Sequence, residues 1–434
     1  MEKIAFISGG IFIYWSSIIL ALAALAAITI FAAVYLAKSD DLVGASVTIP
    51  LAMVASIVLS RLIHWYCRSD AYESMGAALT DYTKGGYALM GVFVACLAVA
   101  ALLRLFRVVK NLRQMYDSMA IGAGVGIAVG RLASLFNASD RGMALSENVG
   151  FPFAFPVTNT VSGVVENRLA TFMIQSGVVT VVLVLLVLYM VISKVAKREI
   201  PEGDVALIFL LAYGASQIVC DSTRYDSLFL RSNGFISVVQ ILGLVAMVVP
   251  IVVFSVRAVK NMGIKKIHFV LWVLILGMMG LAGYMEYYVQ RHGNEAAFAY
   301  SLMSGALICV VLVALTIRTM GNIAKSKKTV NIQAEKLVET VNGTATDKTK
   351  EKEDSKKELP KEPKVEQKAQ PKEVREEPRI AFPVAFPEAP SEVPQEELPK
   401  KLPVAFPKAS AEEIPEKLPK KLPVAFPKEN VEES

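Results

Sequence analysis

Apolar residues run along this chain in nine long stretches, near 10–37, 46–66, 86–106, 117–137, 169–193, 204–221, 236–256, 267–288 and 296–317, each divided from the next by a polar segment. About 20 residues of this kind are needed for a helix to cross the hydrocarbon core of a bilayer. The pattern predicts an all-α, polytopic integral membrane bundle of about nine transmembrane helices. The fourth and sixth stretches are the least apolar. Gly122, Gly124, Gly126 and Gly130 in one, and Gly214 and Ser216 in the other, suit close helix packing and predict interior positions. The first stretch carries Ser16 and Ser17 but no clear small-residue cleavage site, and reads as a retained anchor instead of a removable signal.

The loops alternate in charge. Arg104, Arg107, Lys110 and Arg113 fall in one, Lys194, Lys197 and Arg198 in another, and Arg257, Lys260, Lys265 and Lys266 in a third. Those between, around 68–84, 138–168, 222–235 and 289–295, hold few basic residues and include acids. Positive loops stay in the cytoplasm, which predicts an N-terminus outside the membrane and a cytoplasmic C-terminus entered through Arg318, Lys325, Lys327 and Lys328. The first loop runs against the pattern, since Asp40 and Asp41 outnumber Lys38.

Composition agrees, with 54% hydrophobic and only 19% charged residues, and it divides the chain. Residues 331–434 hold 19 of the 45 Lys+Arg, 22 of the 39 Asp+Glu and 15 of the 20 prolines, leaving the first 330 with 26 basic and 17 acidic residues, net +9. A transmembrane domain over 1–325 and a disordered, Lys/Glu/Pro-rich tail over 326–434 follow. Within the tail, Val384-Ala385-Phe386-Pro387 recurs as Val404-Ala405-Phe406-Pro407 and Val424-Ala425-Phe426-Pro427, a 20-residue period in 379–434. Its prolines forbid helix, so each copy is extended, either offering a Phe to a cytoplasmic partner protein or serving as a solvated spacer. Four scattered cysteines and three separated histidines suggest no metal site, and no cofactor is indicated. The positive surplus sits beside membrane spans and does not suggest nucleic acid.

Ionisable residues within spans are costly and mark function by default. Arg131, Asn137, Asp140, Arg141 and Gly142 close the fourth span; Gln217, Asp221, Arg224 and Asp226 close the sixth; Arg61 and His64 end the second, Lys84-Gly85-Gly86 opens the third and Arg168 the fifth. All fall on one side of the membrane. Guanidinium groups there match phosphate oxygens, so a phospholipid head is the expected ligand. Helix-end anchors and interhelical ion pairs, such as Asp221 with Arg131, are the plainer alternative.

The same residues resemble the prolipoprotein diacylglyceryl transferase family over roughly 10–250. Ile13-Tyr14-Trp15, Ser60-Arg61-Leu62 and Gly85-Gly86 sit in family order. Gly130-Arg131 through Asn137 and Gly142 resembles G-R-x-G-N-F-x-N-x-E-x-x-G, and Pro152 to Pro156 lies over a P-W stretch. Arg168 to Ser176 lies over R-H-P-T-Q-L-Y-E-S, and Tyr213-Gly214 through Asp221, Arg224 and Asp226-Ser227-Leu228 resembles Y-G-x-x-R-x-x-x-E-x-x-R-x-D-S-L, followed by Gln240. The resemblance implies a family-like core over 10–258 with two added spans over 267–317. It also implies movement of a diacylglyceryl group from phosphatidylglycerol to a prolipoprotein cysteine at the outer leaflet of a bacterial inner membrane.

Departures fall at chemical positions. Met90 stands at a functional His, Ser16 at a Tyr, Ser134 at an Asn, Ser139 at the signature acid and Gln217 at an Arg; Asp221 shortens a Glu, and Leu169, Ala170, Phe172, Ile174 and Gln175 erase most of the H-P-T-Q-L-Y-E element. A thioether cannot exchange a proton. The resemblance therefore implies catalysis by Asp221 and Arg131, with Asp221 as base or as orienter of Arg131. A headgroup site would be formed by Arg131, Asn137, Arg141, Gly142, Arg168 and Arg224, supported by Arg61, Tyr213, Gln217 and Asp226, with activity impaired or altered. The alternative is a non-catalytic lipid- or lipoprotein-binding scaffold with a docking tail.

Overall fold

The structure, a computed structural model, describes residues 3–354 apart from 9–10, 82–85, 138, 146–149, 151–152, 159–162, 231–232 and 293–296. Lys84, Gly85, Pro152 and the repeats of 379–434 lie outside the described residues. Among the described residues ten α-helices follow one another: α1 (Trp15–Lys38), α2 (Leu42–Cys67), the short α3 (Met75–Thr80), α4 (Leu89–Leu105), α5 (Leu112–Gly130), α6 (Thr171–Val195), α7 (Asp204–Ser222), α8 (Val238–Met262), α9 (Lys266–His292) and α10 (Ala297–Asp354). Eight are long and apolar enough to cross a membrane, and α4 is a shorter apolar helix of 17 residues. The protein is a multi-pass membrane helix bundle.

Two boundaries differ from the sequence expectation. Residues before Trp15 are not helical: β1 (Ile4–Ser8) pairs antiparallel with β2 (Ile11–Tyr14), as suits Ile and Phe flanking Gly9-Gly10. At the other end α10 continues through Asp354, well past residue 326. That stretch cannot build a core, yet no proline interrupts it before Pro360, so a polar helix is allowed.

Small residues let the central helices touch. A Cβ on Gly122 would meet the Ala27 carbonyl oxygen at 2.7 Å, one on Gly126 the Ala27 Cβ at 2.9 Å, and one on Gly214 the Gly243 carbonyl oxygen at 2.5 Å. Thus α5 packs on α1 and α7 on α8, backbone against backbone. Met90, Ile121, Val179, Phe209 and Tyr213 fill one core, and Leu211, Met247, Phe254, Ile275, Met303 and Ile317 another that joins α7 and α8 to the last two helices.

Successive long helices run in opposite directions, so the 68–88, 131–170 and 223–237 connections share one end with β1–β2, β3–β4 (Ala154–Thr158 with Val165–Leu169) and β5–β6 (Phe229–Leu230 with Asn233–Ser237). Buried polar groups organise the opposite end. Asp117 accepts the backbone N–H groups of Gly203 and Ala206, both at 2.8 Å, and so caps α7 from α5. Fully buried Asp204 pairs with Arg257 at 3.0 Å and Arg318 at 2.5 Å, while Arg318 also donates to the Tyr189 hydroxyl. One carboxylate thereby ties α10 to α6, α7 and α8.

Candidate functional site

At the end bearing the hairpins, α5 tightens after Gly130 into a 3-10 turn, Arg131–Leu135. The chain then reaches Asp140, whose φ of 57° is a left-handed conformation rare for a residue with a side chain. Two connections, 131–170 and 223–237, are knitted here by backbone bonds: Gly142 N–H to the Leu169 carbonyl at 2.7 Å, Leu169 N–H to Met143 at 2.9 Å, and Tyr225 N–H to Arg141 at 3.2 Å. Gly142 is required by space, since a Cβ would meet Thr171 Oγ1 at 2.5 Å and Leu169 Cβ at 2.8 Å.

Asp140 is the hub. Its Oδ1 receives Arg131 at 2.8 Å and Arg224 at 2.7 Å, and its Oδ2 accepts the Ser134 hydroxyl at 3.0 Å. Asp226 receives the Asp140 N–H at 3.0 Å and Arg224 Nε at 2.9 Å. Burial by itself would raise the Asp140 pKa, but the two guanidiniums outweigh it and hold the carboxyl down at about 2. Arg224 is shifted upward: burial opposes its charge, and Asp140 and Asp226 more than offset that.

Asp221 is nearly inaccessible. Its Oδ2 accepts the Ser237 hydroxyl, and its backbone carbonyl accepts Ser227 Oγ at 2.8 Å. Ser237 also forms a capping box with Gln240 at the start of α8. Asp221 Oδ1 lies 3.9 Å from Arg224 and is buried without a hydrogen-bond partner.

Arg141 differs from the other three arginines. Buried at 3% exposure, it lies between Phe155 and Phe172, at 4.7 and 4.5 Å from the ring centres, and donates through one nitrogen to the carbonyls of Ser134 and Asn137 at 2.8 and 2.9 Å. Its Nε and remaining terminal nitrogen are buried without partners. Arg168, by contrast, pairs with Glu166 at 2.8 Å and lies over the Tyr225 ring. Arg131, Arg141, Arg168 and Arg224 thus face Asp140, Asp221, Asp226 and Glu166, a neutral set in which Arg141 is the member with two unused donors.

Beneath this cluster Tyr213 lies beside Arg131 and stacks on Phe93 at 5.1 Å. Met90 is buried in the same apolar core. Gln175 donates to Gln217 at 3.3 Å, both fully buried and neutral.

Of the residues selected from sequence, Arg131, Asn137, Arg141, Gly142, Arg168, Asp221, Arg224 and Asp226 are brought together in one connected network, with Tyr213 and Gln217 below it. Arg61 is spent on the 68–88 connection, donating to the Tyr72 hydroxyl at 3.1 Å and to the carbonyls of Gly86 and Asp81. One pairing needs correction: Arg131 is bonded to Asp140, not Asp221. In the motif comparison Ser139 stands at the signature acid. The left-handed turn brings the carboxylate one residue later into the centre, a conformation that no periodicity signals.

The family model described as prolipoprotein diacylglyceryl transferase matches residues 3–256. The chain belongs to this family. Similar family members include proteins named phosphatidylglycerol–prolipoprotein diacylglyceryl transferase from Finegoldia magna, 23% identical over 268 residues, 60% of this chain and 99% of that protein, and from Streptococcus mutans, 24% identical over 223 residues, 51% and 80%. A third, from Lactococcus lactis, is 26% identical over 224 residues, 52% and 81%. The family match ends within α8, so α9 and α10 lie beyond it.

Proposed function

We propose that this protein binds the head of phosphatidylglycerol at the arginine cluster and transfers its diacylglyceryl group to a lipoprotein cysteine, more slowly than its relatives. The unused donors of Arg141 carry this reading. A buried guanidinium with two unpaired N–H groups is costly without a ligand, and charged N–H donors suit the oxygens of an anion such as phosphate. Arg131 Nε, likewise buried and unpartnered, adds a third; Arg224 and Arg168 supply field, with Asn137 and Gly142 shaping the loop.

In the transfer the thiol sulfur bonds to the glyceryl carbon as the carbon–oxygen bond to phosphate breaks. The glycerol phosphate leaves with the bond's electron pair, and the thiol proton passes to Asp221 Oδ1, the carboxylate oxygen left free by Ser237. Arg131 and Arg224, aligned by Asp140 and Asp226, stabilise the charge on the leaving phosphate. Neither Met90 nor the Gln175–Gln217 pair can take a proton from a thiol. Losing one acid–base group typically lowers a rate about 10²–10⁴-fold, hence the slow reaction.

The cluster would face outward, with both the N-terminus and the site outside and α10 emerging in the cytoplasm. The first loop supports this sidedness, because Asp41 is consumed internally by the Tyr35 hydroxyl at 2.8 Å and the N–H groups of Gly44 and Lys110 at 3.1 and 3.0 Å. It is no surface charge. The transferase core then spans about 10–258, the added helices 267–317, and the tail from 326 begins as the helical extension of α10.

Complementation of a bacterium depleted of its own transferase tests the reading: slow rescue by the intact chain, absent with Asp221→Asn, is expected. No rescue, together with retained phosphatidylglycerol binding, would favour the second reading, a scaffold that holds lipid or lipoprotein while the tail repeats recruit a cytoplasmic protein. Met90 and Gln217 favour that alternative.

A further inference from the structure

The β1–β2 hairpin is apolar on both faces. Its register sets Ile7 opposite Phe12 and Phe6 opposite Ile13, and its base is closed by a bond from Trp15 N–H to the Lys3 carbonyl at 3.1 Å. Ile7 is 61% exposed, Phe12 53% and Phe6 52%, with Ile4, Tyr14 and Trp15 also exposed. A soluble hairpin would put polar residues on one face. This one leads without a break into the first membrane span.

We propose that the hairpin is an interfacial membrane element, its partner the boundary between lipid headgroups and acyl chains around the site. Two features set this depth. Trp15 opens a 24-residue helix, longer than the hydrocarbon core requires, so the strands start at headgroup level, where Tyr14 and Trp15 are at home. Among the described residues no third strand joins this ribbon, so the outer edge of each strand has no strand neighbour, which hydrocarbon would penalise and wet headgroups satisfy. Trp15 packs on Phe136 with ring centres 6.1 Å apart, just past the Arg131 turn. Lipid around the hairpin is therefore lipid beside the Arg131 turn. Membrane contact here does not require any transferase activity, so the two readings fail separately.

The test uses the full chain in phosphatidylcholine bilayers, comparing Phe6→Trp and, as a second position, Phe12→Trp with the parent, whose own tryptophans are subtracted. Lipid brominated high on its acyl chains should lower the added emission roughly two-fold or more, while aqueous acrylamide quenches it poorly. Emission quenched by acrylamide as freely as tryptophan in solution, and unmoved by brominated lipid, would overturn the proposal. Emission shielded from both would overturn it equally, because protein would then cover the hairpin.

Discussion

Replacing Asp140 with Asn keeps the side chain's shape and removes the charge on which Arg131 and Arg224 converge. Both contacts are short, 2.8 and 2.7 Å, and all three side chains are at least 86% buried. Removing one member of a buried ion pair costs about 3–5 kcal/mol, mainly because the remaining charge is left unpaired, and here Arg131 would lose its carboxylate while Arg224 kept Asp226. Unfolding in mixed micelles titrated with SDS should therefore show a loss of that order. An anion able to take the vacant place should compensate, so phosphatidylglycerol is expected to stabilise Asp140→Asn more than the parent, and phosphatidylcholine neither. The pH dependence follows from the same contacts. A carboxyl held at about 2 when folded and near 3.9 when unfolded stabilises the fold above the unfolded value. That contribution, about 2–3 kcal/mol, disappears as pH falls through the folded value. The parent should lose it between about pH 4 and pH 2, whereas Asp140→Asn, having none to lose, should be flatter over that window. A variant within about 0.5 kcal/mol of the parent, the range of an ordinary surface substitution, with identical responses to both lipids, would show that Asp140 does not organise the cluster.

Arg141→Lys keeps the charge but loses the flat fork stacked between Phe155 and Phe172; binding of phosphatidylglycerol, measured by lipid co-purification, should fall at least about tenfold, and unchanged lipid content would argue against Arg141 as an anion ligand. Gly142→Ala forces a methyl within 2.5 Å of Thr171 Oγ1 and should cost about 1–3 kcal/mol in the same SDS titration. Asp204→Asn unpairs Arg257 and Arg318, and limited proteolysis should then cut the 263–265 connection, at the same end of the bundle, faster than in the parent; equal rates would mean that α10 is held by its apolar contacts alone.

The spans were legible because membrane helices announce themselves in composition, and the small residues of α5 and α7 correctly marked interior faces. The hairpin before Trp15 was absorbed into the first span, since its residues are as apolar as the helix they precede and only their pairing sets them apart. At the site, Arg131, Arg224 and Asp226 could be selected from motif order. Their partners could not, because pairing depends on the left-handed turn at Asp140 and on two connections distant in sequence. Arg141 was selected as one basic residue among several. Its distinction rests on Phe155 and Phe172 flanking it and on the lack of a carboxylate, which only packing reveals.

The last helix has a mechanical consequence. At about 1.5 Å per residue, its 58 residues amount to a rod of about 87 Å, far longer than the bilayer is thick, rooted at Asp204 through Arg318. Roughly the final 30 residues project as a boom about 45 Å long. That length of helix carries Asp354, the last described residue, well beyond the reach of lipid headgroups.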